Sequence, residues 1–338
     1  MSNASLHAAR RAKNDEFYTP YIDVADQVKA ILEARPDIFV DRTVLLPCDD
    51  PEWSQFTRFF LEHFESLKLK RLISTSYTMP RDDSGMAYVS LFDEESPGVA
   101  PEWTRGRILD VSSMDGVDPA SPPWRLLDGD GDFRSGEVTA LRDEADVVIT
   151  NPPFSLFREF IDWCMTGDVL FDVMGLVTLI ASRRISLYMN ERQLWWGAPC
   201  SHGIDFRIPA TTNDQRPSEK TQCASNVTWW TNMYHTTRVR SRRLMTMGEN
   251  RLNSPHGSIR EHGYCRYDNY DAIDVPFVDA IPSDWEGVMG VPLTILHGFD
   301  SSQFEFVRVI YNDCGERVRM NGREAFVRVF IRNHKKAS

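Results

Sequence analysis

The run Asp146-Val147-Val148-Ile149-Thr150 is dense in β-branched residues and passes directly into Asn151-Pro152-Pro153-Phe154. β-Branched side chains suit the pleated, buried surface of a strand, so the Asn-Pro-Pro-Phe string stands at a strand's carboxyl end. In open α/β sheets that edge is where ligands bind. The first 230 residues alternate apolar runs with amphipathic stretches, which predicts βαβ units around a largely parallel sheet. Strands are expected at Thr43–Pro47, Arg71–Tyr77, Arg107–Val111 and Val173–Ile180, and helices at Ser54–Phe64, Glu137–Glu144, Leu156–Met165 and Arg184–Trp195. Gly203–Ile208 and Val227–Asn232 are expected to pair as a hairpin across the polar stretch 211–225. The texture changes near residue 235, to Arg-rich and then Asn/Asp/Tyr-rich segments with short strands. This predicts a domain over 1–235 and a smaller one over 236–338.

The residue types of the Asn-Pro-Pro-Phe string point to one kind of chemistry. An exocyclic amine is a poor nucleophile because its lone pair is delocalised into the ring. Two acceptors around the amino hydrogens draw the nitrogen towards a tetrahedral geometry and free that pair. The Asn151 side-chain oxygen and the Pro152 carbonyl are such acceptors, and proline brings no competing donor. Pro153 stiffens the turn and keeps the carbonyl aimed. Phe154 is placed to stack on a planar base, a contact of about 1–3 kcal/mol. The string therefore predicts methyl transfer to an exocyclic amine, with Asn151, Pro152, Pro153 and Phe154 as its catalytic residues.

A methyl-donor site is expected at the ends of the first strands. Cys48-Asp49-Asp50-Pro51 closes the first, where an acid can hold the amino group of a methionine moiety. Asp130-Gly131-Asp132-Phe133 offers carboxylates for an adenine amino group and a ring to lie against it. Phe17, Tyr18 and Thr19, in a segment too aromatic for a free tail, are expected to close over the donor or pack on the domain.

Net charge is −11, but it is unevenly spread. Residues 1–200 hold 20 Lys and Arg against 33 Asp and Glu, a net of −13, and residues 201–338 hold 18 against 16, a net of +2. A polyanion is drawn to local basic patches, since fields fall off within about 8–10 Å at physiological salt. Arg238, Arg240, Arg242 and Arg243 are candidate phosphate contacts, and Asn269 and Tyr270 candidate base contacts. The six cysteines show no CxxC pair and no histidine at ligand spacing, so neither a disulfide framework nor a metal site is expected. No apolar run approaches the ~20 residues of a membrane span, and the N-terminus has no apolar signal core. The cytoplasm is the expected compartment, with no membrane partner.

The chain resembles the EcoRI-type adenine-specific DNA methyltransferases. The strings that carry the likeness are Asp15–Thr19, Cys48–Pro51, Lys70–Ile73, Gly129–Ser135, Asn151–Glu159, Tyr267–Ile273 and Gly287–Pro292. The resemblance implies a Rossmann-like seven-stranded methyltransferase sheet with helices on both faces, and a C-terminal region that reads double-stranded DNA. It implies S-adenosylmethionine as donor, a flipped-out target adenine methylated at N6, and no metal. By position it matches Phe17, Tyr18 and Thr19 to the donor-closing segment and Asp49 and Asp50 to the methionine-moiety loop. Asp132 and Phe133 match the adenine pocket, and Cys48 and Asp130 stand beside them as donor-site candidates. A restriction endonuclease acting separately is the partner such an enzyme implies. Two features depart from the wider methyltransferase pattern: Pro47–Glu52 contains no glycine, and Ser74–Tyr77 contains no acid. Sequence alone leaves open methylation of cytosine N4, of RNA or of a protein amide, and a catalytically inactive DNA- or donor-binding protein.

Overall fold

The computed structural model describes residues 18–78, 104–197, 204–211, 214–224, 226–233, 241–310 and 318–334. Phe17, Arg238 and Arg240 lie outside them. The chain forms two compact units, one of Met1–Leu176 with Cys200–Met233 and one of Val177–Pro199 with Tyr234–Ser338.

The first unit holds α1 (Tyr21–Ala34), β1 (Thr43–Leu46), α2 (Gln55–Glu62), α3 (Phe64–Leu67), β2 (Arg71–Ser76), β3 (Arg107–Val111) and β4 (Arg125–Leu126). It continues with α4 (Gly136–Asp143), β5 (Val147–Thr150), α5 (Phe157–Thr166) and β6 (Leu170–Leu176). The chain then contributes α6 (Arg183–Asn190) and β7 (Trp195–Trp196) to the second unit. It returns as β8 (Ile204–Thr211), β9 (Asp214–Ala224) and β10 (Val227–Thr231).

Among this unit's strands the main sheet runs β4-β3-β2-β1-β5-β6-β10. β2, β1, β5 and β6 are parallel; β3 and β4 add antiparallel on one side and β10 on the other. All four residues of β1 and of β5 are buried, as continuous apolar runs are when a parallel sheet is covered on both faces. The neighbouring residues Trp229 and Trp230 of β10 must point to opposite faces. Trp229 meets Phe56 of α2 and Trp230 meets Phe157 of α5, so helices cover both. Helix α1 escaped the sequence reading, although Val24, Val28 and Ile31 recur at helical spacing and are buried.

The expected hairpin between Gly203–Ile208 and Val227–Asn232 does not form. The polar stretch is itself a strand, β9, and it pairs antiparallel with β8. That frees β10 to pair with β6, where its aromatic residues are buried. Predicted strand Val173–Ile180 is shifted back to Leu170–Leu176, and in the second unit the apolar run Val291–Leu296 divides between a strand end and a 3-10 turn. Pro292, which has no N–H to give a ladder, ends β12 (Val288–Val291) there.

In the second unit, β11 (Ala272–Asp274), β12, β13 (Phe304–Val309) and β16 (Val329–Asn333) form a sheet in the order β11-β12-β16-β13. A small hairpin, β14 (Arg319–Met320) with β15 (Arg323–Glu324), stands beside it. Helices α7 (Met247–Asn253) and α8 (Gly257–His262) precede the sheet, and α7 opens on a capping box between Thr246 and Glu249. Among the described residues no helix is long and apolar enough to cross a membrane.

Candidate active site

β5 ends at Thr150, and the backbone leaves the sheet through Asn151, Pro152 and Pro153. The Leu156 N–H donates to the Pro153 carbonyl at 2.9 Å, closing a 3-10 turn over Phe154–Leu156 that leads into α5. Asn151 is half-buried, and its Nδ2 donates to the Thr19 hydroxyl at 3.2 Å. Thr19 is buried and hands its own proton to the Met174 sulfur on β6, at 4.0 Å. The segment before α1 thus fixes the orientation of the Asn151 amide. Phe154 is 5% exposed and meets Phe206 edge-on, with centroids 6.3 Å apart and planes at 80°.

Asp49 lies directly beneath this loop, fully engaged. The Thr150 hydroxyl donates to Asp49 Oδ2 at 2.6 Å and the Ser54 hydroxyl to Oδ1 at 2.7 Å. Its N–H donates to the Thr75 carbonyl, and its own carbonyl accepts from the Ser74 hydroxyl. Burial pushes the Asp49 carboxyl up to about 7, against the two hydroxyl donors that favour its charged form. Ser54 also caps α2, accepting from the Phe56 N–H at 3.1 Å. The ends of β1, β2 and β5 and the start of α2 are therefore tied through one carboxyl group.

Asp50 has a different set of partners. Its Oδ1 accepts from the Glu52 N–H at 2.9 Å, and Arg107 Nη1 stands 3.4 Å from both oxygens. Burial raises this carboxyl, opposed by that N–H and by Arg107. The same guanidinium takes Glu52 at 2.8 Å and lies 4.5 Å over the Trp124 ring. Cys48 is half-buried, and Tyr18 packs edge-on to Trp53 at 4.7 Å, over the same loop.

The Asp130–Phe133 segment is a tight turn against the end of β2. Gly131 has φ +81°, and a Cβ there would lie 2.1 Å from the Ser76 carbonyl oxygen. Asp130 Oδ1 accepts from the Asp132 N–H. The Asp132 carboxylate holds Arg134 through the backbone N–H, Nε and Nη2. Desolvation works against its charge, but Arg134 prevails and keeps the carboxyl below its usual range. Phe133 is buried against Phe160 and Trp163 of α5.

The structure thus gathers Thr19, Asp49, Thr150 and Asn151 into one bonded cluster, with Tyr18, Cys48 and Asp50 on the adjoining loop. Thr150 and Ser54 were missed by sequence reasoning, because no spacing rule links a strand's last hydroxyl to an acid 101 positions earlier. A buried pair was missed as well. Asp172 of β6 accepts from Gln27 of α1 at 2.5 Å, and burial pushes its carboxyl up to about 7. The signal was present, as a lone acid inside the apolar run Leu170–Leu176.

The residues singled out for DNA lie in the second unit. Asn269 Oδ1 accepts from the Arg319 N–H at 2.9 Å, so this oxygen serves the fold. Tyr270 packs near Phe330. The backbone of Arg242 is held at both its N–H and its carbonyl by the Gln303 amide, and Arg243 is exposed.

The model of a family described as "Adenine-specific methyltransferase EcoRI" matches residues 5–337. The chain belongs to this family of adenine-specific methyltransferases. It is 32% identical over 342 residues to the type II methyltransferase M.EcoRI of Escherichia coli, covering 98% of this chain and 97% of that one. It is 30% identical over 316 residues to M.MpnI of Mycoplasma pneumoniae, covering 91% and 86%. It is 28% identical over 362 residues to M.MgeORF184P of Mycoplasma genitalium, covering 97% and 98%. No solved structure matches. Membership of the family makes the chain an enzyme, a DNA methyltransferase.

Proposed function

We propose that this methyltransferase transfers a methyl group from S-adenosylmethionine to N6 of an adenine flipped out of duplex DNA. The observation that carries the reading is the Asn151 amide at the end of β5, oriented by the Thr19 hydroxyl. With Nδ2 given to Thr19, Oδ1 is the acceptor that meets an incoming amine. The Pro152 carbonyl is the second acceptor, and Phe154, held by Phe206, borders the base. Extruding a paired base costs a few kcal/mol, so duplex contacts elsewhere must offset it.

The donor residues fit S-adenosylmethionine with a division of labour. Asp49 has both oxygens taken by hydroxyls and acts as a brace. Asp50 is the acid on the same loop that would receive the donor's ammonium, with Tyr18 and Cys48 beside it. Asp130, Asp132 and the backbone around Gly131 would border the donor's adenine, with Phe133 supporting them from the core. When bound, S-adenosylmethionine supplies an electrophilic methyl group on its sulfonium. Asn151 Oδ1 and the Pro152 carbonyl hold the two amine hydrogens while nitrogen attacks, and the surplus proton leaves to solvent afterwards. No side chain here is asked to form a covalent bond or to hold a metal.

In this reading the sheet is the Rossmann-like seven-stranded methyltransferase sheet, supported by its four parallel central strands and antiparallel edge β10. The unit of Met1–Leu176 with Cys200–Met233 is the catalytic part, and the unit that holds 236–338 is the target-recognition region. The enzyme acts in the cytoplasm, as the modification partner of a separate restriction endonuclease or alone. The deciding experiment is methyl transfer from labelled S-adenosylmethionine to mixed genomic DNA, with nucleoside analysis. N6-methyladenine that disappears in Asn151→Ala, with donor affinity retained, is the expected result. Label in cytosine only, or undiminished turnover in Asn151→Ala, would overturn it.

A further inference from the structure

Duplex binding must rest on surfaces outside the Asn151 cluster, and one surface of the second unit has the chemistry for it. The turn between β14 and β15 is Asn321-Gly322, with φ of +52° and +74°. Positive φ at both central residues is the two-residue hairpin geometry that Asn-Gly favours. So short a ribbon is marginal by itself, but this one is clamped. Asp268 Oδ1 accepts from the Asn321 N–H at 3.1 Å and Oδ2 from the Gly322 N–H at 2.7 Å. The Asp268 N–H donates to the Arg319 carbonyl, and Asn269 Oδ1 accepts from the Arg319 N–H. Met320 and Ala325 rest on a buried cluster of Tyr267, Ala272, Ile310, Val318 and Phe330. The string Tyr267–Ile273, which carries the candidate base contacts Asn269 and Tyr270, therefore clamps this hairpin.

The side chains of Arg319, Arg323 and Phe326 take no part in this clamp. Arg319 and Arg323 are exposed, and among the described residues neither forms an ion pair. Phe326, two residues beyond β15, is 83% exposed, the most exposed large hydrophobic side chain among the described residues. The nearby Asp268 carboxylate is occupied by two backbone N–H groups. A rigid tip with two uncommitted guanidiniums and a naked aromatic ring matches a polyanion whose bases offer apolar faces. A two-stranded ribbon also fits the width of the major groove.

We propose that the Arg319–Glu324 hairpin with Phe326 is a docking element for duplex DNA, its guanidiniums on phosphates and the Phe326 ring against a base step. The inference rests on the reading of duplex DNA as substrate. It goes further by naming the surface and the role of each side chain.

The test is fluorescence anisotropy of the full chain with a labelled mixed-sequence duplex over a range of salt, beside donor affinity and melting temperature. Each lost phosphate contact lowers the slope of log K against log salt by about 0.9. Arg319→Ala with Arg323→Ala should make the slope shallower by about 2 and weaken low-salt binding roughly tenfold. Phe326→Ala should weaken binding roughly tenfold at unchanged slope, and Phe326→Trp should restore it. Donor affinity and melting temperature should hold in all three, since the side chains are exposed. Variants that bind duplex with wild-type affinity and slope would overturn the hairpin alone. A wild-type chain that binds no duplex and methylates none would remove the functional reading, and this inference with it.

Discussion

Thr150 and Ser54 each place a hydroxyl on one oxygen of Asp49, and Thr150 is bonded covalently to Asn151, the residue proposed to hold the amine. Any change in the Thr150 side chain is therefore felt by Asn151. Thr150→Val keeps the shape and removes the donor, leaving a buried carboxyl oxygen unsatisfied at about 1–3 kcal/mol. The expected outcome is a melting temperature lower by several degrees and a roughly tenfold fall in kcat through misplacement of Asn151, with donor affinity nearly unchanged. Loss of donor affinity with kcat intact would mean that Asp49 serves the donor and not the loop. Thr19→Val makes the companion case from the other side. It removes the acceptor for Asn151 Nδ2, so the amide can rotate, and kcat should fall by a factor of about 3–10, the worth of a hydrogen bond of about 0.5–1.5 kcal/mol. Serine at position 19 should rescue it. At this scale the sequence was legible where a local run sets position. Asn151-Pro152-Pro153 could be placed at a strand's carboxyl end because the run before it is β-branched and buried. Asp49 could be seen as an acid at a strand end, but its role as a brace depends on hydroxyls that only the fold brings to it.

β6 and α1 meet through a carboxyl group that would be better suited to water. Asp172 is 1% exposed, and Gln27 Nε2 is the donor on its Oδ2. Burial lifts its pKa from 3.8 to about 7, and it lifts Asp49 to the same value. A carboxyl whose pKa is raised on folding binds its proton more tightly in the folded chain. Its favourable contribution is full below the unfolded value near 4 and is lost as pH rises through about 7. The chain should therefore melt at a higher temperature near pH 5 than near pH 8, as far as these two groups govern it. Asp172→Asn accepts the same hydrogen bond without a charge. It should raise the melting temperature by several degrees at pH 8 and change it little at pH 5. A gain of equal size at both pH values would show that the charge is not the cause. The elements themselves were legible in proportion to their apolar character. β1, β3 and β5 could be read from short apolar or β-branched runs, whereas β9 is polar and gave no strand signal. Helix α1 could be missed because its N-cap is Pro20, with no side-chain cap to announce it.

At the scale of the whole molecule, the second unit is assembled from two separated stretches. Val177–Pro199 belongs with Tyr234–Ser338, although it follows directly on β6 of the first unit. Asn190 at the end of α6 donates from Nδ2 to the Val309 carbonyl at 3.2 Å and accepts the Val309 N–H at 2.7 Å, like an extra rung on β13. Trp195 packs on Phe299 and Phe306 at centroid distances of 6.4 and 5.4 Å. The change of texture near residue 235 marks where the chain re-enters this unit, not where it first meets it. Within the unit, Tyr267 and Gly290 come from two strings far apart in sequence. The Tyr267 hydroxyl bonds Asp274, and a Cβ on Gly290 would lie 2.3 Å from that hydroxyl oxygen. Gly290→Ala should consequently unfold the second unit at lower temperature than the wild type. The division also bears on truncation. A chain ending at Met233 would keep Val177–Pro199 and lose its contacts with Phe299, Phe306 and Val309. Ile180, Ile185, Met189 and Trp195 are all buried in the intact chain, and burying each such side chain is worth about 1.5–3 kcal/mol. Residues 1–233 alone should bind a hydrophobic dye, be clipped by protease between 177 and 199, and aggregate on heating. A fragment lacking both 177–199 and 234–338, with the cut ends joined by a Gly/Ser linker, should bind less dye and resist clipping. If instead the simple 1–233 fragment melts cooperatively with no dye binding, Val177–Pro199 does not depend on the C-terminal residues, and the two stretches are not one folding unit.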